Sequence, residues 1–258
     1  RGAWQIVNQM LDKPQENLPL SEVRKRLLEI DARDFISLYY SNSERPYIDK
    51  IPLATDDGIV IPKQGLLASL ENPEMAKQVS VIAGATKDEV SLWLALHRYF
   101  VKSHYPLTKL LPAKYTLNDP ELYDFWVRIR SHAWKFKGVD GVLSALHKAG
   151  YRNLYAYRFD WDHQKPSLFI DFPKFFGAAH GTDIAFVTGN FTYGPITNYI
   201  YPKGLKRDQM QRTIMGFWSS FARTGNPSKQ QAFSWDNYSP DRPIFLQLDI
   251  DTNLRQAV

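Results

Sequence analysis

The chain has 258 residues, of which 44% are hydrophobic and 14% aromatic, and this composition excludes collagen-like, coiled-coil and disordered classes. The net charge of +5 arises from 32 basic residues scattered among 27 acidic ones, which argues against a nucleic-acid partner, and no apolar run reaches the ~20 residues of a membrane span. The absence of cysteine excludes thiol catalysis, disulfides and thiolate zinc sites, and fits a bacterial protein, whether cytoplasmic or periplasmic/secreted.

The first predicted elements are two helices within residues 20–40. An apolar stripe with Ser21 as N-cap predicts the first helix. The second is predicted to begin at Asp31 and to carry Phe35 and Ile36 inward. Both helices have the pattern of packing elements rather than of sites.

Three runs of apolar, β-branched or aromatic residues predict strands at 78–84, 153–159 and 244–248. Residues 90–150 between the first two are predicted to be mainly helical. Their aromatic residues suit a lid or one wall of an apolar pocket, with plain core packing as an equal alternative for any one of them. These residues are Trp93, Tyr99, Phe100, Phe125, Trp126, Trp134 and Phe136. The alternation of strands and helices predicts an α/β fold with a parallel sheet, although three strands make a small sheet for this length.

The best-marked helix follows these strands in a segment that ends near residue 225. Asp208 is its predicted cap, Met210, Ile214 and Phe217 lie on its apolar face, and Gly225 is its predicted end. This pattern predicts a long helix packed against the sheet.

One loop is distinguished by its chemistry. His180 lies between Gly177 and Gly181, in a segment of small residues that follows the second predicted strand. Such loops present catalytic histidines, and a histidine that only satisfies a polar contact in a turn is an even alternative. The order strand, acidic residue, helical insertion, strand, histidine is that of the triad acid and histidine in α/β hydrolases.

Two short motifs and their order resemble the type-B carboxylesterase, lipase and cholinesterase family. Residues 84–89 (GATKDE) are similar to its acid-bearing motif and residues 177–183 (GAAHGTD) to its histidine motif, with supporting segments at 155–159 and 217–227. The resemblance implies an α/β-hydrolase fold. Residues 1–258 would be the C-terminal part of a single catalytic domain: the last strands of a mostly parallel sheet with large helical insertions.

The same resemblance implies roles for three residues. Glu89 would be the triad acid that orients the imidazole of His180, and His180 would be the proton shuttle. Asp183 would be a supporting acid behind this pair, with a solvated or purely structural role as the alternative. The implied reaction is hydrolysis of a small-molecule carboxylic ester through an acyl-enzyme, with no cofactor and no metal.

The chain departs from the family pattern in two places. Val90 stands where a glycine commonly follows the acid motif. The Gly-x-Ser-x-Gly nucleophile elbow is absent, because the only glycines four residues apart, Gly177 and Gly181, enclose Ala179. The resemblance therefore implies that the nucleophile lies in an N-terminal half, a companion polypeptide, and that this chain alone is not competent. The alternative is a cholinesterase-like adhesion or binding module that has lost its triad.

Other carboxylates and imidazoles compete with this interpretation. Asp88 is the rival triad acid, and residues 160–163 (DWDH) could ligate a metal, although an exposed loop is the favoured reading. The histidines at 97, 104, 132 and 147 are interpreted as structural. If 78–84 pairs in parallel with 153–159, Glu89 should lie within ~2.6–3.2 Å of His180 Nδ1 beside an aromatic-lined cavity. Asp88 should then point elsewhere, because neighbours in an extended segment face opposite sides.

Overall fold

The computed structural model describes residues 3–11, 18–40, 56–105, 112–192, 194–229, 231, 233–250 and 253–256. The chain divides into two compact units, Arg1–Gly65 and Leu66–Val258. Among the described residues of the first unit, the helices are α1 Ala3–Met10, α2 Leu20–Leu28 and α3 Ala32–Tyr40. None of the described helices is both long enough and apolar enough to cross a membrane.

Both predicted helices of the first unit form, with differences in detail. α2 buries Val23, but Pro19 occupies its N-cap position, so the prediction that Ser21 caps it is wrong. The carbonyl of Pro19 accepts from the amides of Glu22 and Val23, so the helix begins at Leu20, two residues before the start that a Ser21 cap implies. On α3, Ile36 is 50% exposed rather than inward, since the residue after the half-buried Phe35 lies about 100° around the helix.

The second unit contains a mixed α/β arrangement. Its elements are, in chain order, α4 Leu66–Leu70, a 3₁₀ turn Pro73–Met75, β1 Val81–Thr86, α5 Ser91–Ala95, β2 Val101–His104, β3 Lys114–Leu117, α6 Pro120–Lys135, a π-helix Phe136–Asp140, α7 Gly141–Lys148, β4 Leu154–Phe159, α8 Phe172–Phe175, α9 Ile184–Thr188, α10 Thr197–Ile200, α11 Leu205–Thr224, β5 Ile244–Leu248 and β6 Asn253–Gln256.

The main sheet has the strand order β1-β4-β5-β6. β1 pairs in parallel with β4, from Val81↔Leu154 to Thr86↔Phe159, which confirms the predicted parallel pairing. β5 is parallel to β4, while β6 is antiparallel to β5. β6 was not predicted, because its four residues are mostly polar and only the neighbouring strand makes them a strand.

Gly84 has a different role from the one that the sequence indicated. It was taken as the end of the first strand, but β1 continues through it to Thr86. Its register partner is Tyr157, and a Cβ built on Gly84 would lie 2.2 Å from the Tyr157 ring. The glycine therefore marks a close approach between β1 and β4.

The helical insertion was predicted correctly only in part. α5, α6 and α7 form, but the antiparallel pair of β2 and β3 between them was missed. Each of these strands has four residues and little alternation to signal it. Nearby, Phe100, Tyr123 and Val127 form a small core against which Val101 and Leu117 pack, so tertiary contacts with α6 support the two strands.

The main core lies between the sheet and α11. Phe159, Phe186 and Ile214 are almost fully buried there. α11 ends at Gly225, which has φ +71°, as predicted. It begins after Gly204, so the prediction that Asp208 caps it is wrong; Asp208 lies in the first turn and accepts from the Arg207 guanidinium.

Candidate active site

The acid segment is a tight turn at the carboxyl end of β1. The strand ends at Thr86, and its backbone N–H donates to Glu89 Oε1 over 2.8 Å, which returns the Glu89 side chain toward the strand. Glu89 is only 4% exposed. Val90 has φ −93°, an ordinary value, so this turn does not need a glycine at that position.

The histidine loop follows α8 and contains two residues with left-handed backbone conformation. Gly177 has φ +52° and Gly181 has φ +77°, values that side chains with a Cβ rarely adopt. Ala178 and Ala179 between them are buried. The small residues let the loop lie against the core while the His180 side chain remains 48% exposed.

The expected contact between acid and histidine is present. Glu89 Oε2 lies 2.6 Å from His180 Nδ1. The Glu89 side chain is 5% exposed, so a buried carboxylate lies beneath a half-exposed imidazole. Such a charge-assisted hydrogen bond fixes both the orientation of the ring and the nitrogen that carries the proton. Nε2 is the ring nitrogen that this hydrogen bond leaves available.

Two tryptophans border the imidazole, as the aromatic insertion suggested. The ring centroid of Trp93, from α5, is 5.1 Å from that of His180, and the centroid of Trp134, from α6, is 5.6 Å away. The two indoles stack at 5.9 Å and are 41% and 44% exposed. They provide apolar walls beside the half-exposed ring.

Asp88 does not approach His180 and instead holds the histidine loop. Its Oδ2 accepts from the Ala178 backbone N–H over 3.0 Å, and its own N–H donates to the Ala178 carbonyl over 3.0 Å. The prediction that Asp88 points away from His180 is confirmed. The reason given for it, alternation along an extended segment, was wrong, because residues 87–90 form a turn. Burial raises the pKa of the Asp88 carboxyl.

Asp183 lies three residues beyond His180 and contacts a strand residue. Tyr157 donates its hydroxyl to Asp183 Oδ2 over 2.8 Å. Burial, followed by the charge of Asp183, raises the pKa of Tyr157. Tyr157 was noted in the sequence only as part of a strand, and its contact with Asp183 joins residues 26 apart.

The structure separates Asp160 from Asp162 and His163, the residues of segment 160–163 that were considered as metal ligands. Asp160 is buried and paired with Arg158, at 2.6 Å, and it does not belong to the group that Asp162 and His163 form. Asp162 and His163 lie near Asp249, with one ligand atom of each within 4.8 Å of the other two. Asp249 directly follows β5 and was not singled out in the sequence. Asp162 is also 3.3 Å from Lys87, so a lysine already neutralises part of this surface cluster.

Comparison with known proteins agrees with the fold and with the resemblance of the segment that contains the histidine motif. The carboxylesterase family model matches residues 137–258. Carboxylesterase 4A of Bos taurus is 32% identical over 117 residues, which are 45% of this chain and 20% of that protein. The acetylcholinesterase of Bungarus fasciatus is 31% identical over 100 residues, which are 38% of this chain and 15% of that protein.

Solved structures show the same fold over almost the whole chain. A pNB esterase aligns with a TM-score of 0.64 at 19% identity, covering 98% of this chain and 50% of that one. The Geobacillus stearothermophilus carboxylesterase at pH 6.2 aligns with a TM-score of 0.60 at 19% identity, covering 98% and 51%. The chain thus spans about half the length of the solved structures that it matches. Residues 137–258 are thus similar to the carboxylesterase family, and the chain has an α/β-hydrolase fold that corresponds to the C-terminal portion of these solved enzymes.

Proposed function

We propose that this chain supplies the acid and the proton shuttle of a carboxylic-ester hydrolase that acts through a Ser-Glu-His triad. The observation that carries the proposal is the 2.6 Å contact between Glu89 Oε2 and His180 Nδ1. A buried carboxylate on one ring nitrogen and a half-exposed face at the other is the arrangement that a general base requires. The substrate class is a small-molecule carboxylic ester.

In this mechanism the two residues have separate tasks. The Glu89 carboxylate accepts a hydrogen bond from Nδ1–H and so keeps the proton on Nδ1. Nε2 therefore has a free lone pair and takes the proton of the serine hydroxyl as the hydroxyl oxygen attacks the ester carbonyl. The charged carboxylate stabilises the imidazolium that forms. His180 then gives the proton to the leaving alcohol. In the second half of the reaction, His180 takes a proton from water as the water oxygen attacks the acyl-enzyme, and it returns this proton to the serine.

The nucleophile in this proposal comes from outside residues 1–258. The chain has no Gly-x-Ser-x-Gly elbow, and relatives of twice its length align over almost all of it. We therefore propose that residues 1–258 are the C-terminal part of one catalytic domain and that an N-terminal half, on a companion polypeptide, adds the serine and the oxyanion hole. The chain alone then lacks both the nucleophile and the largest electrostatic contribution to catalysis.

The test measures ester hydrolysis with and without that half. The chain is expressed alone and together with the upstream polypeptide of its source, and turnover of p-nitrophenyl acetate is followed. We expect activity only in the combined sample. His180→Ala should abolish it, while Asp183→Asn should cost much less, because only the first removes the proton shuttle.

Two outcomes would contradict the proposal. Turnover by the chain alone that is well above free imidazole and is lost in His180→Ala would show that no companion is needed. A combined sample that forms the complete fold, binds ligands and hydrolyses no ester would support the adhesion or binding module instead. Equal losses from His180→Ala and Asp183→Asn would mean that the roles of the two residues are misassigned.

A further inference from the structure

The backbone just before His180 is held by side chains from other parts of the chain. The Tyr123 hydroxyl donates to the Phe175 carbonyl at 2.7 Å, and the Ser91 hydroxyl donates to the Phe176 carbonyl at 2.6 Å. The next carbonyl, of Gly177, accepts from the Gln164 amide at 2.7 Å. With the Asp88 contact to Ala178, every residue from 175 to 178 has a backbone group bonded to a distant side chain.

These donors are placed where water is excluded. Tyr123 is 1% exposed, Ser91 2% and Gln164 6%. The loop after α8 has no strand partner for its carbonyls, and a buried carbonyl without a partner is costly. The Tyr123 and Ser91 hydroxyls therefore satisfy the Phe175 and Phe176 carbonyls. The Gly177 carbonyl differs, because it also accepts from the Ala179 backbone N–H at 3.0 Å.

Tyr123 connects the two segments that present the acid and the histidine. Its hydroxyl is shared between the Phe175 carbonyl, at 2.7 Å, and the Ser91 carbonyl, at 2.9 Å. Ser91 lies two residues after Glu89, and Phe175 lies five residues before His180. The Ser91 side chain then makes a second link between the same segments, through Phe176.

We propose that Tyr123 and Ser91 are positioning residues for the Glu89–His180 pair, setting the distance between the acid turn and the histidine loop. This proposal rests on the proposed function, in which that pair is catalytic. It differs from a purely structural role, because a loss of either hydroxyl should loosen the Glu89–His180 hydrogen bond beyond any general loss of stability.

The test reads the hydrogen bond directly, in the 258-residue chain. The proton of His180 Nδ1 is observed by NMR, assigned with His180→Ala, and its exchange with solvent is measured. Tyr123→Phe and Ser91→Ala should each accelerate this exchange by about 2- to 13-fold, the factor that corresponds to a net hydrogen bond of about 0.5–1.5 kcal/mol at 1.36 kcal/mol per tenfold.

Tyr151→Phe is the matched control. Tyr151 is 6% exposed, and its hydroxyl accepts from the Lys77 backbone N–H at 2.7 Å, so the variant also removes a buried hydroxyl. It should lower the unfolding temperature comparably and leave the Nδ1 proton unchanged. If Tyr123→Phe behaves like this control, or if all three variants accelerate exchange equally, the proposal is overturned.

A second pair of variants decides the matter if Tyr123→Phe does not fold. Ser91→Ala should accelerate exchange of the Nδ1 proton, and Ser91→Thr, which keeps a hydroxyl, should restore slow exchange. Slow exchange in Ser91→Ala would refute the positioning role. The measurement needs no turnover, so an absence of esterase activity in the completed enzyme would count against the proposed function and not against this contact.

Discussion

The two hydrogen bonds of the Glu89 carboxylate determine what Glu89→Gln should do. Oε1 accepts from the Thr86 backbone N–H at 2.8 Å, and Oε2 contacts His180 Nδ1 at 2.6 Å. Glutamine has the same shape but only one accepting oxygen. Since the Thr86 backbone N–H can only donate, the oxygen of the glutamine amide should face this N–H. The NH₂ group of the amide should then face Nδ1 of His180.

The size of this preference follows from burial. The reverse orientation would set the NH₂ group against the Thr86 N–H, leaving buried donors unpaired at a cost of about 1–3 kcal/mol. That cost favours the first orientation by about 5- to 160-fold at 1.36 kcal/mol per tenfold. Nδ1 must then accept a hydrogen bond, so the neutral ring carries its proton on Nε2, the nitrogen that the mechanism needs as a base.

The assay is ¹⁵N NMR of the His180 ring in the 258-residue chain at a pH where the ring is neutral. The parent should hold its proton on Nδ1 and Glu89→Gln on Nε2. Glu71→Gln is the control, because Glu71 is an exposed glutamate paired with Lys148 at 3.1 Å. In the completed enzyme the wrong tautomer should lower turnover by ~10⁴, as in serine proteases. A proton retained on Nδ1 in Glu89→Gln would refute the reasoning.

Three further predictions concern stability. Gly84→Ala should lower the free energy of unfolding, measured in urea, by about 1–3 kcal/mol, because the new Cβ overlaps the Tyr157 ring. The control Gly138→Ala should not lower it, because the nearest neighbour of the new Cβ lies 4.0 Å away. Burial raises the pKa of Asp88, so its ionisation removes stability as pH rises from 3.8 to the higher folded value. The free energy of unfolding of Asp88→Asn should therefore rise relative to that of the parent across that interval. A difference between the two free energies that does not change with pH would contradict this. Burial likewise raises the pKa of Tyr157 above 10.0, so the parent should lose stability above that pH and Tyr157→Phe should lose less, measured by thermal unfolding.

Local pattern in the sequence was sufficient for the framework of the fold. The β5 segment 244–248 forms as predicted, and the end of α11 at Gly225 was readable because a left-handed cap needs a residue without a Cβ. The glycines around His180 pointed to the loop for the same reason. Parallel pairing of β1 with β4 followed from their order and apolar content, and together with the family resemblance it predicted Glu89 near His180, with Asp88 as the rival acid.

Contacts between distant segments decided what the sequence left open. Asp88 and Glu89 are adjacent carboxylates of equal charge, and only the turn after β1, closed by the Thr86 amide, directs Glu89 to the imidazole and Asp88 to Ala178. The β2–β3 pair and β6 depend on partners rather than on their own residues. The link from Tyr123 to Phe175 joins residues 52 apart. Such contacts leave no periodic trace in the sequence, because they depend on where packing brings a hydroxyl and a carbonyl together, and only the tertiary structure shows that.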